Sequence, residues 1–429
     1  MKVLWLCNII LPRVAESLNL KASNKEGWLS GICDAVSGNH DFTLAVASPM
    51  DISHDGFTYE QDGIKYYGFY EDINHLERYD KALEGRLGKI IDDYRPDVVH
   101  IFGTEYPHAL AMCRAMHERG LSSGVLIGIQ GVMDIYKDHY FDGLPVRVVK
   151  RVTLRDFLKQ DSLVQQQRKF ADRALNELEA IELTGHVTGR TPFDLMFSTR
   201  VNPNARYHFM NETLRDMFYD GTWYESECEP HTIFLSQGNY PIKGLHYMLE
   251  ALSELKKAYP DIKVYVAGDN VTKHATVKEK LKLSSYGKYL LELIRKNDLR
   301  ENVVFMGNLT GDEIKARLLK SHLFVCPSAI ENSPNSLGEA MILGVPCIAS
   351  NVGGISGIFR NHSDGLLYRD GDVSALIEAV KTMWGDNSPA EEYGTNASLH
   401  AHATHNPDTN YNRLLEIYGE IAAQNRGQV

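Results

Sequence analysis

Two carboxylates, Glu331 and Glu339, open and punctuate the stretch ENSPNSLGEAMILGVPCIAS at residues 331–350. A Ser/Pro/Asn turn follows the first, an apolar helical run carries the second, and Gly344 with Pro346 stops that run. Pro334 and Asn335 read as a helix start, so the first amides, of Asn335, Ser336 and Leu337, are expected to lack an intrahelical partner. Such amides make an anion site at the positive end of the helix dipole. Glu339, about one turn further in, is placed to reach a ribose hydroxyl pair. Glu331, still in the loop, is placed to reach a neutral polyol beyond the phosphates. The competing role for both is that of plain surface carboxylates.

Other segments offer matching chemistry. FLSQGNYPIKGLHYMLEAL reads as a strand, a loop holding Gln237, Gly238 and Lys243, and a helix. A lysine beside a helix N-terminus suits a pyrophosphate; its ordinary alternative is a solvated loop residue. VYVAGDN ends a strand on Gly268 and Asp269, and VVFMGNL ends one on Met306 and Gly307, where a nucleoside can rest against backbone. Gly27, in NKEGWLSGI, either admits a substrate close to the backbone or caps a helix start. Two motifs are set aside. GGISG lacks the full G-x-G-x-x-G spacing, and Asp372 of DGD reads as a helix N-cap rather than a metal ligand.

These residues need a scaffold. At 429 residues the chain fits two domains of roughly 200 residues each. An apolar fraction of 43% and a charged fraction of 24% are ordinary for a globular protein. A net charge of −11 and a pI near 5.9 argue against nucleic-acid binding driven by overall charge. The six cysteines are scattered without a C-x-x-C pair, which suits reduced thiols rather than zinc or disulfides. MKVLWLCNIILP reads as a buried first strand rather than a signal peptide, and no segment is apolar enough to span a bilayer. The expected location is cytoplasmic, with peripheral contact to the inner face of a membrane as an option.

Apolar strand-like runs alternate with helical patterns in two series, one ending near Gln130 and one beginning near His231. That alternation predicts an α/β fold of two Rossmann-like, doubly wound domains facing across a cleft, with ligands at the carboxyl ends of the strands. The expected boundaries are an N-terminal domain over 1–205, a connection over 206–230, and a C-terminal domain over 231–407. The stretch 408–429 carries an apolar stripe at Tyr411, Leu414, Leu415, Ile417, Tyr418 and Ile421, predicting a helix that crosses back onto the first domain.

The combination of the Lys243-Gly244 loop, AGDN, VVFMG, the E-x7-E segment and DGLLYRDGD resembles family 4 retaining glycosyltransferases of the GT-B fold, of the kind found in bacterial polysaccharide biosynthesis. The resemblance covers the C-terminal half and extends loosely to RPDVVHIFGT in the first. It implies transfer of a sugar from a nucleoside-diphosphate donor to a glycan or lipid-linked acceptor, with retention of configuration and no metal or other cofactor. Glu331 and Lys243 would serve catalysis. Gln237, Gly238, Gly268, Asp269, Met306, Gly307, Asn335, Ser336, Leu337 and Glu339 would bind the donor.

Three positions depart from the family pattern: Gln237 where an arginine is common, Gln130 where a histidine is frequent, and Gly357 where a glutamate often lies. Glutamine brings neither charge nor proton transfer near neutral pH. Arg190 is a candidate to supply the missing charge, or else forms a structural ion pair. With Gly27 and Gln130 it makes up the acceptor-side candidates. Two further readings stay open: a sugar-nucleotide epimerase on the same fold, and a non-catalytic sugar-nucleotide-binding partner of another transferase. The basic stretch 147–173, with Val, Leu and Phe interleaved, is expected to form helices beside the acceptor cleft that touch an anionic membrane, or else a solvated helical face.

Overall fold

The computed structural model describes residues 1–20, 29, 32, 36 and 42–427. It divides into two compact units, one built from 1–135, 169–215 and 405–429, the other from 136–168 and 216–404.

The first unit holds β1 (Lys2–Leu6), β2 (Thr43–Met50), β3 (Thr58–Gln61), β4 (Ile64–Tyr70), β5 (Val98–Phe102), β6 (Val125–Gly128), β7 (His186–Gly189) and β8 (Arg206–Phe209). They form one sheet in the order β3-β4-β2-β1-β5-β6-β7-β8, parallel except for the β3-β4 pair. Val3, Leu4, Trp5 and Leu6 are completely buried, as a central parallel strand covered on both faces requires. The second unit holds β9 (Glu229–Leu235), β10 (Lys263–Ala267), β11 (Val303–Gly307), β12 (Ser321–Cys326), β13 (Cys347–Ser350) and β14 (Gly365–Tyr368). Their order is β11-β10-β9-β12-β13-β14, parallel throughout. Each sheet therefore reverses its direction of growth once, between β1 and β5 in the first and between β9 and β12 in the second.

The boundaries differ from expectation in two places. The expected connection at 206–230 begins with a true strand, β8, which extends the first sheet beside β7. Its sequence is polar because it is an edge strand; His208 is buried through a 3.0 Å contact between its Nε2 and Nδ1 of His186 rather than by apolar packing. Residues 136–168, expected in the N-terminal domain, pack within the second unit. Beside the buried Tyr140, Val148 and Leu163, polar bonds tie them there, and such bonds leave no hydrophobic period to read. Asp156 accepts the Ser285 amide at 2.9 Å, the Ser285 hydroxyl donates to the Val148 carbonyl at 2.7 Å, and Arg147 and Arg151 pair with Glu292.

The final helix, Pro407–Gly427, lays Leu414, Ile417, Tyr418 and Ile421 into the core of the first unit, against Trp5, Phe42 and Phe102. The Tyr418 hydroxyl accepts the Trp5 indole N–H at 2.8 Å, and Nδ1 of His100 lies 2.7 Å from it. Burial lowers the His100 pKa to about 3, so the ring is neutral, and with the hydroxyl already accepting from Trp5 its O–H is free to donate to Nδ1. Replacing Tyr418 by Phe strands two buried polar groups, with an expected loss of about 2–4 kcal/mol. Urea denaturation measures it, and an unchanged midpoint would show that the network contributes nothing.

Candidate functional site

In the second unit the chemistry collects where the sheet changes direction. The loops leaving β9 and β12 run side by side there, at the carboxyl edge that open α/β sheets use for ligands. The Ala329 amide donates to the Ile242 carbonyl at 2.8 Å, joining the two loops. Glycines allow close backbone approaches here, Gly244 between these two loops and Gly353 between the loop after β13 and that of Glu331. Gly244 has φ +68° and a Cβ there would lie 1.7 Å from the Pro327 carbonyl oxygen; Gly353 has φ +51° and a Cβ would lie 1.9 Å from the Glu331 carbonyl oxygen. The Gly354 amide also donates to that carbonyl at 3.0 Å. The glycine pair of GGISG thus supports the Glu331 loop.

The result is a direct pairing of Lys243 with Glu331, Nζ to Oε1 at 2.5 Å, with the Ser328 hydroxyl donating to the same oxygen at 2.8 Å. Burial opposes the lysine charge, but Glu331 and then Tyr240 overcome it and hold Lys243 protonated well above its usual pKa. Residues 88 positions apart meet as a cation and an acceptor.

The helix Asn335–Ile342 starts next to this pair, with Pro334 as its N-cap and no side-chain cap. One expectation is corrected here. The Leu337 amide is not left open, because it closes a tight turn onto the Pro334 carbonyl at 3.0 Å. The Ser336 amide makes no hydrogen bond among the described residues, and Asn335 occupies the first helical position. Glu339 is buried one turn further along.

Towards β10 and β11 the edge is made of backbone. Gly268 (φ +91°) and Gly307 (φ +78°) adopt conformations that favour glycine, and the Gly268 amide donates to the Gly307 carbonyl at 2.8 Å. Gln237 packs beside Gly268, buried Gly238 follows it, and Met306 is half-buried in β11. Asp269 accepts from the Asn308 amide group at 3.1 Å on the exposed rim. Asp372 caps the Val373–Trp384 helix by accepting the Ala375 amide.

Sequence reasoning missed Tyr136. Its hydroxyl accepts the Asn332 amide at 2.9 Å, and burial, reinforced by the nearby Glu331 charge, keeps its proton on far above the normal range. No motif marks a tyrosine nearly two hundred residues upstream.

In the first unit Arg190 takes the structural alternative. It is buried in a 2.9 Å ion pair with Glu212, which also accepts from the Gln130 side chain. Its charge is therefore compensated on the spot. Gly27 lies outside the described residues. The change of direction in this sheet holds polar groups that sequence reasoning did not single out. Buried His108 sits 2.6 Å from Glu71 through Nδ1 and 3.0 Å from Asn8 through Nε2. Glu105 accepts the Gly131 amide, and Glu177 accepts the Thr104 hydroxyl and the Met133 and Asp134 amides, so two carboxylates hold the loop that carries Gln130.

Residues 225–400 match the family model described as glycosyl transferases group 1. In this half the chain is similar to that family. Among curated relatives, alpha-D-kanosaminyltransferase of Streptomyces kanamyceticus is 22% identical over 69% of this chain and 72% of its own length. Glycogen synthase of Mycobacterium tuberculosis is 26% identical over 35% of this chain, which there spans only 33% of the relative. Among solved structures, sucrose-phosphate synthase from Thermosynechococcus elongatus aligns over 99% of this chain and 100% of its own, with TM-score 0.72 and 13% identity. Anabaena HepE in complex with UDP-glucose aligns over 98% and 100%, with TM-score 0.67 and 16% identity. These likenesses are of fold: two α/β units with parallel sheets, the GT-B type.

Burial raises the Glu177 carboxyl to about 7, against its three hydrogen bonds, and Glu105 adds repulsion. A carboxyl with a raised folded-state pKa stabilises the fold below its unfolded value, and that contribution is lost as pH rises through about 7. Glu177→Gln should therefore flatten the fall in stability from about pH 4.5 to 7, an effect of about 1–3 kcal/mol. Denaturant titrations across that range test it; a variant with the wild-type pH slope would locate the dependence elsewhere.

Proposed function

We propose that this chain is a retaining glycosyltransferase that moves a sugar from a nucleoside-diphosphate donor to a glycan or lipid-linked acceptor, in the assembly of an extracellular or capsular polysaccharide. The observation that carries the proposal is the meeting of Lys243 and Glu331 beside the uncapped start of the helix that holds Glu339. The group 1 match over the same residues supports it, as does the UDP-glucose-bound relative of like fold.

In this reading the diphosphate takes over Lys243 from Glu331 and lies against the Ser336 amide. Charge that builds on the leaving phosphate meets a fixed ammonium and a fixed N–H, which need little reorganisation. Glu331, released from the lysine, accepts hydrogen bonds from hydroxyls of the transferred sugar. Glu339 holds the ribose. The glycine-lined edge at Gly268 and Gly307 receives the base. Reaction on one face, with a phosphate oxygen drawing the proton from the acceptor hydroxyl, gives retention without a carboxylate nucleophile. Lys243 and the helix start supply the positive potential without a metal, so turnover should persist in excess chelator. Activity abolished by chelation and restored by a divalent cation would overturn that part.

The three side chains should fail differently. Glu339→Ala should weaken both the nucleoside diphosphate and the full donor by about 1–3 kcal/mol. Glu331→Ala should bind nucleoside diphosphate almost normally while turnover collapses, because its partner is the transferred sugar. Lys243→Ala should damage both. Calorimetric titration beside steady-state rates separates the cases, and near-normal turnover by Glu331→Ala would sink the assignment.

A second reading, a sugar-nucleotide binder without catalysis, is favoured by the glutamines at 130 and 237 and by the neutralised Arg190. Nucleotide release that rises on addition of an acceptor excludes it.

A further inference from the structure

Two short helices of the second unit turn their apolar side chains outward. On Leu154–Lys159, Leu154 and Leu158 stand one turn apart beside Phe157, and Phe157 and Leu158 are 72% and 70% exposed. On Val277–Leu281, Val277 is 73% exposed and Leu281 follows one turn later. Leu154, Leu158, Val277 and Leu281 line one shallow groove, walled by Arg155, Lys159, Lys278 and Lys282. Surface helices ordinarily bury such a stripe, and a contiguous exposed patch of this kind marks an interaction site.

The outward stripe is built in. Asp156 is fully buried, closes a capping box with Thr153 and takes the Ser285 amide, so the polar side of the first helix faces the unit. Arg147 and Arg151 fasten the preceding turn to Glu292. Thr276 and Glu279 cap the second helix reciprocally. A polar anchor thus fixes the first helix and a capping box closes the second, while the apolar side chains remain in water.

The charge around the groove names the partner. Lys150, Lys159, Lys278, Lys280 and Lys282 are exposed and form no ion pair among the described residues. Of the nearby acids, Asp161 is held by Arg155 and Glu279 by its capping box. This excess of positive charge stands on a chain of net charge −11. A symmetric contact between two copies would set lysines against lysines.

We propose that this face docks on an anionic lipid bilayer, with Leu154, Phe157, Leu158, Val277 and Leu281 entering the headgroup boundary and the lysines meeting lipid phosphates. Apolar anchors combined with a basic rim are what interfacial binding requires. The surface lies in the second unit and includes residues 277–282, which the basic stretch 147–173 did not suggest. The inference does not depend on glycosyl transfer, since binding is read without nucleotide.

The test uses the full chain with vesicles of phosphatidylcholine alone and of phosphatidylcholine with phosphatidylglycerol. Co-sedimentation is expected with the anionic vesicles at low salt and not with the neutral ones. Phe157→Asp with Leu158→Asp, and separately Lys278→Glu with Lys282→Glu, should each weaken binding by at least about tenfold. All four positions are exposed, so circular dichroism should show wild-type folding. Equal binding to neutral vesicles, no binding to anionic ones, or variants that bind like wild type would each overturn the proposal. A wild-type dimer that Phe157→Asp dissociates, without vesicle binding, would assign the face to a second copy instead.

Discussion

The second unit depends on a close approach of two loops around a buried pair of opposite charges. Removing Lys243 and Glu331 from water is costly, and their attraction compensates only when geometry and further hydrogen bonds are right. The Ser328 hydroxyl and the Glu331 backbone contacts supply those bonds, and Gly244 and Gly353 make room for them. A side chain at Gly244 would drive the two loops apart, and one at Gly353 would collide with the Glu331 backbone. The direction change between β9 and β12 is what brings the loops to one edge at all.

The first unit repeats the plan with different chemistry. Its own direction change, between β1 and β5, gathers Asn8, Glu105 and His108, and buried carboxylates hold the loop after β6. Where the second unit presents a cation and an uncapped helix start, the first pairs Arg190 with Glu212 and sets His108 within hydrogen-bond reach of Glu71.

The basic groove adds a constraint on composition. A chain with a surplus of acids sets several lysines without ion pairs among the described residues around a few exposed apolar side chains on two short helices. Short helices gain little from propensity and are stable only when tertiary bonds hold them. For Leu154–Lys159 that bond is polar, from the Ser285 amide to Asp156, which leaves the apolar face available.

Sequence alone determined the elements with strong periodic signals and the motifs that local geometry dictates. The apolar strand runs, the helix after Pro334, the Asp372 cap and the apolar stripe of the last helix all follow from side-chain period and capping chemistry within a few residues. It also marked Glu331, Glu339 and Lys243 by residue type and spacing. Tertiary structure alone decided what meets what. The short, polar strand β8 gave no alternating pattern, and residues 136–168 joined the second unit through side-chain bonds to backbone, which have no sequence period. Tyr136 reached Asn332, Glu212 cancelled Arg190, and Leu337 spent its amide on a tight turn, because hydrogen bonding at a distance depends on where the folded backbone places donors and acceptors. Local chemistry is written in the order of residues; compensation of charge is settled only once the chain has closed around it.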